Sequence, residues 1–170
     1  DPIHMDCDLI AMSGGLTPAV HLHSQARGKL SWDENKLCFK PSTTHEACFN
    51  AGAGNGSFDP AVALREGMQA GSKAAKASGF PVEDASLPEV TSPKQNWRPQ
   101  PAWKITNGYD GGKGPKAFVD FQNDVTASDV SLAAREGYQS VEHLKRYTTL
   151  GMATDQGKTS NINGLAILAE

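Results

Sequence analysis

Between Phe80 and Pro115 the chain cannot sustain a regular element. Prolines 81, 88, 93, 99, 101 and 115 and glycines 108, 111, 112 and 114 interrupt every periodic pattern there. Proline lacks the N–H that helices and ladders need, and glycine is the costliest residue to order. The chain must therefore fold on either side of this stretch. Residues 1–80 read as an α/β part, 81–115 as an extended strap, 116–160 as a small helical module, and 161–170 as the apolar opening of something further. The strap carries Trp97 and Trp103. A flexible linker rarely holds two tryptophans, so both are expected to dock on a neighbouring surface.

In the first part, CDLIAM (7–12) is a short apolar run ending at Ser13-Gly14-Gly15, and it predicts a buried strand entering a tight turn. WDENKLCFK (32–40) predicts polar turn residues and then a short strand, and EACFN (46–50) another strand. The loop AGAGNG (51–56) follows. Asp59 and Pro60 then make a good N-cap and first helical residue, Val62, Leu64, Met68 and Ala75 share roughly one face, and Gly79 closes the helix.

In the module, KAFVDF (116–121) is strand-like. Thr126-Ala127-Ser128-Asp129 predicts a capping-box start, with Val130, Ala133 and Ala134 apolar and Gly137 ending the helix. Ser140 is the expected cap of a second helix carrying Val141, Leu144 and Tyr147, with Gly151 as its end. The loop that leaves it, GMATDQGKTS (151–160), imitates a nucleotide-phosphate loop. Its first glycine falls one residue early, with Met152 in the required place, and it follows a helix where such a loop should follow a strand.

A net charge of -3 gives no basic footprint for nucleic acid, and Glu142 opposes Lys145 and Arg146 on the would-be recognition helix. No apolar run is long enough to cross a bilayer. The opening Asp1-Pro2-Ile3-His4-Met5 has no signal-peptide character and reads as an expression remnant. Three cysteines, Cys7, Cys38 and Cys48, fit a reduced, cytoplasmic setting. His21, His23, His45 and Cys48 lack the converging spacing of a zinc site, and no Ser–His–Asp or Cys–His order stands out.

KAFVDFQNDVTASDVSLAAREGYQSVEHLKRYTTLGMATDQGKTSN (116–161) closely resembles the linking module of the alpha subunits of bacterial heterotetrameric sarcosine oxidases. CDLIAMSGGLTPAVHL (7–22) and NAGAGNG (50–56) resemble the end of the dinucleotide-binding domain in those subunits. The resemblance implies an enzyme that oxidises sarcosine to glycine through FAD and FMN, forms hydrogen peroxide and passes a one-carbon unit to tetrahydrofolate. It implies beta, gamma and delta partner subunits, NAD on the alpha chain and FMN between alpha and beta. Residues 1–80 are then the C-terminal part of the NAD domain, and 161–170 begin a folate-binding domain. The N-terminal G-x-G-x-x-G fingerprint of that domain is absent, so the chain alone is expected to be inactive. Opine and amine oxidases or dehydrogenases share similar modules, and a non-catalytic subunit-interaction module is the alternative reading.

The module also resembles the ferredoxin-like module that carries a [2Fe-2S] cluster. Its cysteine positions here read Asp120-Phe121-Gln122-Asn123 and Asp155-Gln156-Gly157-Lys158, so no cluster is expected. The resemblance implies two groups of contacts. Gly14, Gly52 and Gly54 would let a dinucleotide approach the backbone, with Ala53 standing where flavin-binding relatives carry Asp. Arg146, Thr148, Thr149, Gln156, Lys158 and Thr159, with Lys145, would supply donors for the FMN phosphate.

Overall fold

A computed structural model describes residues 5–11, 13–83, 86–93, 98–104 and 115–170. Trp97 and glycines 108, 111, 112 and 114 lie outside the described residues. The chain divides into two units, Asp1–Pro99 and Gln100–Glu170. Both mix helices with a two-stranded antiparallel sheet.

The first unit is built on a hairpin of β1 (Leu30–Asp33) and β2 (Cys38–Pro41), with Leu30 opposite Pro41 and Asp33 opposite Cys38. Asp33 makes the turn: its Oδ1 accepts the N–H groups of Asn35 at 2.9 Å and Lys36 at 3.1 Å. Lys40 pairs with the same carboxylate at 2.6 Å. Trp32 and Phe39, paired across the strands, meet edge to face with centroids 5.0 Å apart. The helix α1 (His21–Gln25) precedes the hairpin, and α2 (Pro60–Ala77) follows a 3-10 turn at Gly52–Asn55. Asp59 caps α2 by accepting the Val62 N–H at 2.9 Å. At its other end Gly79, with φ of 80°, lets the Phe80 N–H reach Ala75 O at 3.0 Å.

Two expected strands are not formed. Residues 7–11 form no strand and bend at Asp8, with Leu9 83% and Ile10 73% exposed. An apolar run becomes a strand only when a neighbour takes its backbone groups, and no described residue does so here. Residues 46–50 fail for a local reason: the Cys48 N–H bonds back to Glu46 O at 2.7 Å, a tight turn that breaks extension. The sequence reading also missed α1 and β1, where His21, Ser24 and the polar WDEN stretch conceal the pattern.

The second unit has a hairpin of β3 (Phe118–Asp120) and β4 (Val125–Thr126), then α3 (Ala127–Arg135), α4 (Val141–Thr148) and α5 (Asn161–Ala169). Its core is Val119, Val125, Ala127, Val130, Ala133, Leu144, Leu150 and Ile167, with Trp103 packed against it. Each fully buried Val or Leu contributes about 1.5–3 kcal/mol. The capping box of α3 forms as read: Asp129 N–H reaches Thr126 Oγ1, and Thr126 N–H reaches Asp129 Oδ2 at 2.8 Å. Ser140 occupies the N-cap of α4 without a side-chain bond.

The end of α4 differs from the reading, and the apolar tail forms a helix of its own. The α4 helix stops at Thr148, with Thr149 rather than Gly151 as the left-handed capping residue at φ of 64°. The apolar tail is α5, which packs on α3 and supplies Ile167 to this core. Gly164 makes room for the core residue Leu150, because a Cβ there would lie 2.4 Å from Leu150 Cδ2.

Candidate cofactor-contacting loops

In the first unit the glycine loop is organised by a carboxylate that sequence reasoning overlooked. Glu66, on α2, accepts the Gly52 N–H at 2.9 Å, the Ser57 hydroxyl at 2.6 Å and the Asn55 amide at 3.3 Å. Burial pushes the Glu66 carboxyl up, but the bonds from Ser57, Gly52 and Asn55 outweigh it and hold it below its ordinary value. Lys36 Nζ donates to Gly56 O from the hairpin side. The Gly52 N–H is therefore spent on Glu66, and Asp59 already occupies the amino end of α2. Gly14 and Gly54 differ: among the described residues, chain neighbours aside, no atom lies within 4 Å of a Cβ built at either, so their backbones remain approachable. A polar cleft of about 340 Å³ adjoins the loop, with Asn50, Asn55, Glu66, Gln69 and Lys73 in its lining.

The histidines and cysteines do not gather. Among the described residues no three His, Cys, Asp or Glu side chains converge for a metal. His23 is buried, with Nε2 3.0 Å from Lys29 O and Nδ1 3.1 Å from Asn50 Nδ2. A carbonyl only accepts, so Nε2 carries the hydrogen and Nδ1 receives the Asn50 amide. Both ring nitrogens are engaged. Cys7, Cys38 and Cys48 are free thiols.

In the second unit the β3–β4 turn and the α4–α5 loop are joined by three hydrogen bonds. Gly151 N–H donates to Asp120 Oδ2 at 2.8 Å, Asn123 Nδ2 to Thr149 O at 2.8 Å, and Thr154 N–H to Gln122 Oε1 at 3.1 Å. Asp120 Oδ1 also accepts from Gln122 and Asn123 within its own turn. Three residues of the stretch read as a former cysteine pair, Asp120, Gln122 and Asn123, thus bind the opposite loop directly.

The expected phosphate donors are only partly available. The Thr148 hydroxyl donates to Leu144 O at 2.8 Å and accepts from the Leu150 N–H. The Thr159 hydroxyl donates to Asp155 Oδ2 at 2.6 Å, and the N–H groups of Thr159 and Gly157 reach the same carboxylate at 3.1 Å. These bonds, the Thr159 hydroxyl foremost, hold the Asp155 carboxyl below its usual range. The loop's own Asp155 therefore sits where the backbone could have received an anion. Thr149 spends its carbonyl on Asn123 and carries a left-handed backbone, which costs a β-branched residue on the order of 1–2 kcal/mol. The side chains of Arg146, Gln156 and Lys158 stay exposed. Arg146 lies beside His143 and the stacked rings of Tyr138 and Tyr147, whose centroids are 4.5 Å apart. The D-x-G-x-T spacing of residues 155–159 was the signal that could have exposed Asp155 as the acceptor.

Residues 114–170 match the sarcosine oxidase A3 domain family. The whole chain is 40% identical to a sarcosine oxidase subunit alpha of Corynebacterium sp. (strain P-1), over 99% of this chain and 18% of the relative. A sarcosine oxidase subunit alpha of Rhizobium meliloti (strain 1021) is 39% identical over 96% of this chain and 16% of its own length. Residues 114–170 thus carry the sarcosine oxidase A3 domain, and the chain as a whole is similar to sarcosine oxidase alpha subunits. It spans less than a fifth of the length of these relatives, and the A3 match takes in α3, α4, α5 and both joined loops of the second unit. No helix among the described residues is long and apolar enough to cross a membrane.

Proposed function

We propose that this chain serves as part of the alpha subunit of a cytoplasmic, heterotetrameric flavoenzyme that demethylates sarcosine to glycine. The observation that carries this reading is the roughly 40% identity over nearly the whole chain to proteins named as that subunit. In this reading FAD and FMN accept and relay the substrate's electrons to oxygen, giving hydrogen peroxide, and the one-carbon unit passes to tetrahydrofolate. Beta, gamma and delta subunits complete the assembly. Residues 1–80 belong to the NAD domain, 81–115 link it onward, and 116–160 form the ferredoxin-like module without a cluster.

Neither glycine-rich loop fits a full phosphate cradle, because Glu66 and Asp155 already hold the donors. The contribution we assign is narrower. Gly14 and Gly54 offer approachable backbone for NAD, with Gly52 shaping the loop that the polar cleft adjoins. Gln156 and Lys158 reach from the rim of the α4–α5 loop towards the FMN phosphate, while Thr148, Thr149 and Thr159 hold the loop's form. Arg146 contributes from the adjoining face of α4.

Lys158→Met keeps the stem and removes the charge. Loss of one charge-assisted partner costs about 1.5–3 kcal/mol, roughly tenfold to a hundredfold in affinity. FMN retained by the assembled complex after dialysis in high salt should fall accordingly. Equal flavin in variant and parent would remove Lys158 from the cofactor site and favour the alternative, a subunit-interaction module.

A further inference from the structure

The α4–α5 loop contains four residues at positive φ: Thr149, Gly151, Gln156 and Gly157. Such conformations persist in non-glycine residues only where the surroundings over-determine them. Helix α4 has ended before the first, and α5 begins only at Asn161. The restraint comes from across the fold. Asp120 is 3% exposed and accepts three backbone N–H groups, those of Gln122 at 2.9 Å, Asn123 at 3.2 Å and Gly151 at 2.8 Å. The first two bonds make an ordinary turn. The third is different, because it is buried and links residues 31 apart in sequence. Gly151 is also closely enclosed: a Cβ there would lie 2.1 Å from Asn161 Oδ1 and 3.1 Å from Gly157 Cα. Its backbone is thus fixed by Asp120 on one side and by the start of α5 on the other.

We infer that Asp120 is a positioning residue, whose carboxylate locks the β3–β4 turn to the α4–α5 loop so that Gln156 and Lys158 are presented from a fixed frame. The inference rests on the flavin contact proposed above. A carboxylate is required because both oxygens must accept at once. Asparagine has one acceptor oxygen and an amino group. With its oxygen turned to the two N–H groups of the turn, its amino group faces the Gly151 N–H, donor against donor. Asp120→Asn should therefore keep the turn and release the loop, which an interchangeable turn-capping role would not do.

The test is amide hydrogen exchange and flavin content on the complete alpha chain purified with its accompanying subunits, for Asp120→Asn, Asn123→Ala and Lys158→Met. The expected result is roughly tenfold or faster exchange at Gly151 in Asp120→Asn, unchanged exchange in α3, and flavin loss matching that of Lys158→Met. Asn123→Ala removes an exposed bond to the same loop. It should give a smaller effect in the same direction, and it keeps the question open to measurement if Asp120→Asn fails to fold. Parent-like protection of Gly151 in Asp120→Asn overturns the inference, and so does released protection with full flavin while Lys158→Met loses it. If both variants keep full flavin, the flavin contact itself falls, and exchange at Gly151 alone decides whether Asp120 positions the loop.

Discussion

At the scale of single residues, three carboxylates shape both candidate loops, and each replaces an interaction that glycines and hydroxyls had suggested for a ligand. Asp155 is the clearest case. Its folded carboxyl is held below the ordinary 3.8 by the Thr159 hydroxyl and by backbone N–H groups. A lowered folded value means that its contribution is complete above the unfolded value and is lost as pH falls through the folded one. The Gly157 and Thr159 amides should therefore be protected at pH 5 to 7 and lose protection as pH drops below about 4. Asp155→Ala should show the unprotected behaviour throughout. A parent loop whose protection did not change across this range would separate Asp155 from the loop's shape. Glycine and threonine positions were legible from the sequence, but the partners they had already taken were not. A donor looks the same in a sequence whether it faces a phosphate or a neighbouring aspartate.

Elements were legible where their ends carry a local chemical signal. The α3 capping box, the Asp59-Pro60 start of α2 and the closing glycines 79 and 137 needed only adjacent residues, and these formed. Strands at 7–11 and 46–50 did not, because a strand depends on a partner that no local pattern specifies. Gly137 tests the local kind of signal. It sits at φ of 95°, where the Gly137 and Tyr138 N–H groups bond back to Ala134 and Ala133. No atom lies within 4 Å of a Cβ added there, so the cost of Gly137→Ala is conformational and not steric. It should destabilise the second unit by about 1–2 kcal/mol, outweighing the propensity gain of alanine. Denaturant midpoints at constant slope will show this, and a stabilised variant would mean that Gly137 is ordinary helix.

Across the whole chain, burial is uneven. The buried aliphatic cluster lies in the second unit, from Val119 to Ile167, whereas Cys38 is the buried hydrophobic residue of the first among the described residues. Helix α2 runs for 18 residues without a buried side chain, and Met5, Leu9, Ile10, Leu16 and Leu22 are exposed. Hydrophobic burial is the main driving force for folding, so the two units should differ in local stability. For the isolated chain we expect slow amide exchange in α3 and α4, and exchange in α2 faster by orders of magnitude. Comparable protection in both would show that the first unit gains stability from something other than apolar burial.

The grip of Glu66 on the 52–57 loop also bears on how the protein ages. Asn55 precedes Gly56, the pairing most prone to spontaneous deamidation, in which the glycine nitrogen attacks the asparagine side-chain carbonyl. Here the Asn55 amide is tethered to Glu66 at 3.3 Å, and the Gly56 nitrogen is committed to Ala53 O at 3.0 Å. The attacking nitrogen and its target are thus both held back. Stored at mildly alkaline pH, the parent should retain Asn55 in peptide mass maps while Glu66→Ala converts it to aspartate and isoaspartate. Equal conversion in both would show that this tether does not govern the lifetime of Asn55. With Asn55 retained in the parent alone, the residue that gives the loop its shape also sets the rate of its chemical decay.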